Sequence, residues 1–328
     1  MGEGDEAEAS ASATRTRTTG PSYGTVCGVT SETSVRNASE TPAVGPADDA
    51  DLAARQAADQ AGVRIVELHD LMDLRAAADL YQTVWQTDAR TAPVSPDLMR
   101  ALSHAGGYVS GAFEGARLVG ASLAFHTGST EGGLHSHISG VLAEAQGRDI
   151  GRALKLHQRT WALQHGLTSI SWTYDPLIRR NAWFNITKLG ARAVGYLVDF
   201  YGVMDDAQNA GDESDRAVAL WNLEAPRVSE AARGVRSEPD MVDLLARGAV
   251  LALSVEADRP VVHTVPAGTP RILVQVPQDI QLVRTDDPSL AREWRETCRG
   301  VLEPLLAGAY VASGFTRTGC YVLEEITE

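Results

Sequence analysis

Cationic charge, cysteine and long apolar runs are all scarce in this sequence, and each scarcity removes a class of function. The 29 lysine and arginine residues face 43 aspartates and glutamates, a formal net charge of −14. Such a chain offers no general basic surface to a nucleic-acid backbone, and no nucleic-acid partner is expected. Only three cysteines occur, Cys27, Cys298 and Cys320. They are odd in number, widely spaced and form no CxxC, so no disulfide framework is expected. The histidine spacing suggests no zinc site, and no metal is expected. No apolar run approaches the ~18 residues of a membrane span. The opening "MGEGDEAEASASATRTRTTGPSYG" has no apolar stretch of the signal-peptide kind. A soluble cytoplasmic protein with free thiols and no membrane partner is the expectation. GxxxxGK[ST] and GxGxxG are both missing, which excludes a P-loop and a dinucleotide fingerprint. No motif supports a Ser/His/Asp or Cys/His triad.

What is present is an adequate core and an uneven charge distribution. Apolar residues make up 44% of 328 residues, enough for one large domain or two ordinary ones. Residues 1–60 hold 10 acids and 4 bases and are rich in Ala, Ser, Thr, Gly and Glu. Few large side chains are available there to offset ordering entropy, so 1–60 is expected to be a disordered acidic tail, with a little helix near "DLAARQAADQAG". Residues 148–192 reverse the trend, with 8 bases against Asp149 and Asp175. One cationic segment thus sits in an anionic chain.

Periodicity organises the rest. "VRIVELHD" (63–70) alternates like a strand, and "LMDLRAAADLYQTVWQT" (71–87) repeats apolar residues at helical spacing. "SPDLMRALSHAG" (95–106) opens with Ser95 as N-cap and Pro96 at the first helical position. Strands are expected over 107–115, 117–128, 134–142, 169–175 and 191–202, with helices over about 150–165 and 179–190. The order β α α β β β α β α β predicts an α/β (α+β) fold with a mixed, mostly antiparallel sheet and flanking helices. "MDDAQNAGDESDR" (204–216) reads as a charged linker. A smaller C-terminal α+β unit follows at 217–328, so the expected divisions are 1–60, 61–216 and 217–328.

The chemistry concentrates in "GVLAEAQGRDIGRALKLHQRTWA" (140–162), a strand, a glycine-bearing turn and a basic helix. Backbone N–H groups at a helix start point outward without intrahelical partners, and the helix dipole favours an anion there. Arg148 and Arg152 stand in that first turn, where cations oppose the dipole unless an anion compensates. Lys155 and Arg159 complete four cations on the same segment. A phosphate-bearing ligand fits this arrangement. Two histidines, His135 and His137, lie two apart on the preceding strand and share a face, where either could deprotonate an amine. Tyr174, at the end of the next strand, is a candidate acid. Trp161, Trp172 and Trp183 fit a core better than a ligand platform, and Glu144 fits a surface turn.

The segment "VLAEAQGRDIGRAL" resembles the Q/R-x-x-G-x-G/A signature of the GNAT (GCN5-related N-acetyltransferase) superfamily: Gln146, Gly147, Arg148, then Asp149 where the first signature glycine belongs, Ile150, and Gly151 at the second. "NAWFNITKLGA" resembles the second motif of that family, a helix ending in K-L-G before a strand. The resemblance covers about 140 of the 328 residues and is nearest to a little-characterised bacterial branch of acetyltransferases. It implies an acyl-CoA cosubstrate, most simply acetyl-CoA, with Val141 bonding the pantetheine arm and Gln146, Gly147, Arg148, Asp149, Ile150, Gly151 and Arg152 holding the pyrophosphate. Arg179 or Arg180 would add positive charge. It further implies direct transfer of the acyl group to a small-molecule amine, with a homodimer as one assembly. Two departures stand out. Asp149 puts a carboxylate in the phosphate turn, and Ile186 stands where many members carry a tyrosine that protonates the leaving thiolate. They leave a non-catalytic acyl-CoA sensor open beside the enzyme, and an O-acyltransferase would use the same site.

Overall fold

Alanine builds the first helix of the described residues. In the computed structural model, which describes residues 45–88, 91–128, 132–202 and 212–326, helix α1 runs over Pro46–Ala61, with Pro46 in its first turn and a left-handed Gly62 closing it. Ala50, Ala53, Ala54, Ala57 and Ala61 are all buried. Their helical spacing makes a smooth stripe that lies against helix α4 (Ile150–Gln164). The part of the expected tail from residue 46 onward is therefore an ordered helix. Small side chains permit close helix approach, so scarcity of large apolar residues did not mean scarcity of packing. Residues 1–44 of that expectation lie outside the described residues.

The periodic elements follow their sequence signals. Strand β1 (Arg64–Glu67) leads into α2 (Leu71–Trp85), capped by Asp70, and α3 (Pro96–His104), where Ser95 Oγ accepts from Leu98 N–H at 3.2 Å. Strands β2 (Tyr108–Glu114), β3 (Arg117–His126) and β4 (Leu134–Val141) form an antiparallel meander. After α4 come β5 (Ser169–Tyr174), the short helix α5 (Arg179–Ala182), and strand β6 (Arg192–Leu197). Helix α5 continues as a π-helical turn, Trp183–Lys188, in which Leu189 N–H donates to Phe184 O at 3.0 Å. Gly190 ends this segment at φ 77°, and a side chain there would start 3.0 Å from Arg227 O.

The second half joins the same sheet. Strand β7 (Arg216–Asn222) inserts between β5 and β6, antiparallel to both. Helices α6 (Pro226–Ala232) and α7 (Met241–Ala246) precede β8 (Val250–Glu256), β9 (Arg259–Val262) and β10 (Arg271–Gln275). Helices α8 (Ile280–Asp286) and α9 (Pro288–Ala307) then lead to β11 (Tyr310–Phe315) and β12 (Cys320–Glu325). The strand order is β1-β2-β3-β4-β5-β7-β6-β11-β12-β10-β8-β9. Parallel pairing occurs only at β4–β5 and β10–β8 among the described strands. The mixed, mostly antiparallel sheet is as the periodicity indicated, but the division at 216/217 is not. The strand after the linker lies mid-sheet, and the two halves meet along β6–β11, at Ala193 and Ala312.

Helix α4 is buried on nearly every side. Its residues Arg152, Lys155, Gln158 and Arg159 all lie inside, so the cationic stretch is not a solvated face. Arg159 Nε and Nη2 donate to Leu223 O at 2.9 and 2.7 Å, beyond the end of β7. Buried guanidinium is stabilised here by carbonyl acceptors rather than by solvent.

Candidate functional site

Two features of the backbone open a site at the start of α4. The first is a strand gap. Strands β4 and β5 pair only through Leu134–Ile170 and His135–Ser171, although β4 continues to Val141 and β5 to Tyr174. Beyond that rung β4 has no registered partner on its β5 side, while β5 stays paired to β7 along its length. The register with β3 also skips a residue. Ala124 faces Ser136 and Leu123 faces Ile138, leaving His137 as the extra residue of a bulge.

The second feature is a run of free amides. Among the described residues no protein acceptor is found for the N–H groups of Gly147 through Arg152, and the first helical bond runs from Ala153 N–H to Asp149 O at 3.0 Å. The turn that presents them is held by Gln146, whose Nε2 donates to Val141 O at 3.2 Å. Gly147 sits at φ 80° and Asp149 at φ 63°. The left-handed region costs glycine little and aspartate ~1 kcal/mol or more. No side chain caps α4, and its first turn carries no acid.

A cavity of about 170 Å³ lies against these amides. Its wall includes Val141, Gln146, Gly147, Asp149, Ile150, Gly151 and Arg152, seven of the eight expected cofactor-binding residues. Phe184 and Lys188 close the other side. A Cβ on Gly151 would meet only Phe184 Cζ at 4.0 Å, so protein packing does not demand glycine there. The missing side chain keeps the cavity open instead. A second cavity of about 180 Å³ shares Asp149 and Arg152 and adds Arg233 and Arg236.

Charge around the turn is arranged differently from the sequence expectation. Arg148 does not line the cavity. Its Nη1 donates to Glu114 Oε1 at 2.8 Å and its Nη2 to Ala61 O at 3.0 Å, tying β2 to the end of α1. Arg152 touches the cavity wall, yet its Nη2 donates to Ala231 and Ala232 O at 3.3 and 2.6 Å, the C-terminal carbonyls of α6. Arg179 is likewise taken, donating to Val276 O at 3.1 and 2.6 Å. Arg148 is therefore engaged away from the cavity. The cation on the cavity wall is Lys188, which forms an ion pair with Asp149. That pair offsets the carboxylate that breaks the signature. The sequence held a signal for Lys188, the K of K-L-G, but not for its reach back over the turn.

His135 and His137 meet on the ring of Phe125, with centroids 5.2 and 5.9 Å from it and 6.4 Å from each other. Burial lowers the pKa of both. His135 is lowered further by His137 and by Lys155. Both are thus held neutral near pH 7, the form that accepts a proton. Tyr174 differs from the expectation. It shares the parity of Ile170 and Trp172, and its side chain is buried with theirs in the main core. Burial pushes its phenol far above the ordinary value, so it is withdrawn from proton donation in the strand gap. Ile186 is also core, 1% exposed.

One group was visible in the sequence only as part of a basic helix. Lys155 Nζ lies 2.7 Å from Ser136 Oγ, 3.3 Å from Gln158 Oε1 and 4.0 Å over the Trp172 ring. Ser136 and Trp172 are the first residues past the last β4–β5 rung. Burial pushes the Lys155 ammonium down to about 7.

No family model matches the chain, and no curated protein matches it. Several solved structures align with part of it. The ribosomal-protein-S18-alanine N-acetyltransferase of Escherichia coli is 15% identical, with 50% of this chain and 95% of that one covered and a TM-score of 0.39. An acetyltransferase of the GNAT family from Streptococcus pneumoniae is 14% identical, covering 48% and 98%, with a TM-score of 0.39. A Salmonella typhimurium protein solved with its cofactor acetyl-CoA is 18% identical, covering 51% and 98%, with a TM-score of 0.41. Each alignment spans about half of this chain, and the chemistry has to be read from the geometry above.

Proposed function

We propose that this chain is an acyl-CoA-dependent N-acyltransferase of the GNAT type, using acetyl-CoA and a small-molecule amine. One observation carries the reading: a run of free amides at the α4 start faces a cavity that adjoins the unpaired edge of β4. A pyrophosphate fits the amides of Gly147 to Arg152, where the helix dipole and Lys188 supply positive potential. An extended amide-bearing arm fits the β4 edge from Ser136 to Val141, bonding like one more strand. Together they direct a thioester toward the apex of the strand gap.

The chain's own groups then account for the transfer. Backbone N–H of β4 orients and polarises the thioester carbonyl. Holding amine and thioester together removes the entropic cost of encounter. Neutral His135 or His137 takes a proton from the incoming ammonium, leaving the lone pair free to attack. The C–N bond forms, the C–S bond breaks, coenzyme A leaves as thiolate, and the proton that the nitrogen sheds on becoming an amide ends on that thiolate. An alternative, acyl-CoA sensing without turnover, is favoured by one feature: Ile186 and Tyr174 are both core residues, so neither provides an accessible phenol for the thiolate.

Calorimetric titration with acetyl-CoA, followed by thiol release over a panel of amines, tests the reading. Saturable binding with amine-dependent thiol release is expected. Binding without release for any amine would favour the sensor, and no binding at millimolar acetyl-CoA would overturn both.

A further inference from the structure

Of the 29 lysine and arginine residues only two are lysines. Lys188 lines the cavity at the α4 start. Lys155 is buried behind it against Ser136 and Trp172, the first residues past the last β4–β5 rung. The choice matters chemically. Arginine keeps its charge at any accessible pH, whereas a buried lysine can exist in either state. Among the described residues the buried Arg295 and Arg284 are paired with Asp175. Arg159 and Arg152 donate to backbone carbonyls, of Leu223 and of the end of α6, and each keeps one guanidinium nitrogen without an acceptor. Lys155 is 6% exposed and forms no ion pair among the described residues. Its neighbours are a hydroxyl, an amide oxygen and an indole face. The two oxygens and the indole face favour the ammonium, while burial without a carboxylate beside it opposes the charge, and the balance lies near neutral pH.

Its position is equally specific. From β4 it meets Ser136, while His135, the neighbouring residue, points to the opposite face and is affected only through the lysine's charge, with His137 beyond. From β5 comes uncharged Trp172. From its own helix comes Gln158, whose Nε2 donates to Ser122 Oγ of β3 at 3.4 Å. That second bond fixes the Gln158 oxygen toward Lys155. Ser122 Oγ in turn lies 2.8 Å from Ser139 Oγ on the β4 edge. The lysine is held at the apex of the strand gap by groups that carry no charge.

We propose that Lys155, with Ser136 Oγ beside it, is the proton carrier of the strand gap, a role that rests on the acyl-transfer reading. As the neutral acceptor amine adds to the thioester carbon, its nitrogen must lose one proton. Neutral Lys155 receives that proton through Ser136 and becomes an ammonium. When the C–S bond breaks, the ammonium returns the proton to the thiolate sulfur and is neutral again. Lys155 ends each turnover as it began, and the phenol absent at Ile186 is not needed. His135 or His137 acts earlier, on the ammonium form of the amine, and passes that one proton to solvent.

Two lysines make the test direct. Full-length protein labelled with ¹³C at lysine Cε gives two side-chain signals, assigned by loss of one in Lys155→Met. The Lys155 signal should titrate near pH 7. A midpoint above about 9.5, close to the ordinary lysine value, would overturn the proposal. Lys155→Arg keeps the cation but cannot cycle the proton. It should bind acetyl-CoA within about threefold of wild type while turnover falls ~10²-fold or more, and the pH–rate limb near 7 should vanish. Turnover restored by Arg would show a structural cation and sink the proposal alone. Absence of acetyl-CoA binding in wild type would remove the acyl-transfer reading, and this role with it. Should Lys155→Met fail to fold, the shift of either wild-type signal through pH 7 still decides, since Lys155→Arg also removes one signal.

Discussion

Two charge clusters in this molecule differ in how completely they are satisfied. At the end of β5, Asp175 receives Arg284 Nη2 at 2.6 Å and both Nη atoms of Arg295 at 2.9 Å. Asp212 Oδ2 accepts from the same two arginines, and Asp215 is held by Arg299 and Tyr196. Burial works to raise the Asp175 carboxyl, but Arg295 and Arg284 override it and hold the pKa far below the usual carboxylate range. At the start of α4 the opposite holds among the described residues: six successive amides lack protein acceptors, an aspartate adopts left-handed backbone, and further along the helix the buried Lys155 has no counter-ion. The saturated cluster ties α8 and α9 to β5 and has nothing left to offer a ligand. The unsaturated one carries local cost that a ligand would offset. Spare polar capacity, rather than charge density, separates site from clamp.

The largest effect should come from the clamp. Arg295→Met leaves Asp175 and Asp212 short of partners in a buried setting and should cost ~3–5 kcal/mol of stability. Urea unfolding would measure it, and a loss below 1 kcal/mol would show that the clamp is no more than a surface pair. Acetyl-CoA affinity of the remaining folded protein should hardly change. Gly151→Val reverses the pattern. Its methyls enter the 170 Å³ cavity, so acetyl-CoA should bind at least about tenfold more weakly, ~1.4 kcal/mol, with a melting temperature close to wild type. Equal affinity in the variant would move the ligand elsewhere.

Smaller effects separate the turn's charges. Asp149→Gly removes the left-handed strain and releases Lys188 toward the ligand. Affinity should rise by ~1 kcal/mol at low salt, and the gain should shrink at high salt. The wild-type pH–rate profile should carry the Lys155 limb near pH 7. In Lys155→Arg, where that limb is absent, the residual activity should hold below the ordinary histidine value, because His135 and His137 are shifted down and remain proton acceptors there. It should be lost only as pH drops through their lowered values. A residual acid limb at or above 6.5 in that variant would exclude both as the base. The smallest effect is expected at Arg148→Ala. A half-exposed pair with Glu114 and one carbonyl are lost, ~1 kcal/mol of stability or less. Acetyl-CoA binding should stay within twofold, and a larger fall would return Arg148 to the phosphate set.

Local signals in the sequence were reliable, and long-range commitments were not. Ser95 with Pro96, the alternation of β1 to β6 and the glycine turn each act within a few residues, and the structure follows them. The partners of Arg148 and Arg152 lie 34 to 87 residues away, beyond what spacing on one helix can reveal. Strand β7 was hidden because only tertiary pairing slots it between β5 and β6. Tyr174 is a different case: its place at a strand end suggests an accessible phenol, but the parity it shares with Ile170 and Trp172 turns it toward the core. Helix α1 is legible only as a little helix near "DLAARQAADQAG" in an otherwise unordered tail, because its stripe is alanine, which packs by closeness rather than by bulk.

The central claim is that the start of α4 and the β4 edge bind acyl-CoA. Amide chemical shifts of ¹⁵N-labelled protein during an acetyl-CoA titration test it at residue resolution. The account predicts the largest changes at Gly147 to Arg152, followed by Ser136 to Val141, with those of the clamp around Asp175 small. Saturating changes centred instead on the 530 Å³ cleft lined by Arg192, Arg227 and Glu324, with the α4 turn unmoved, would contradict it.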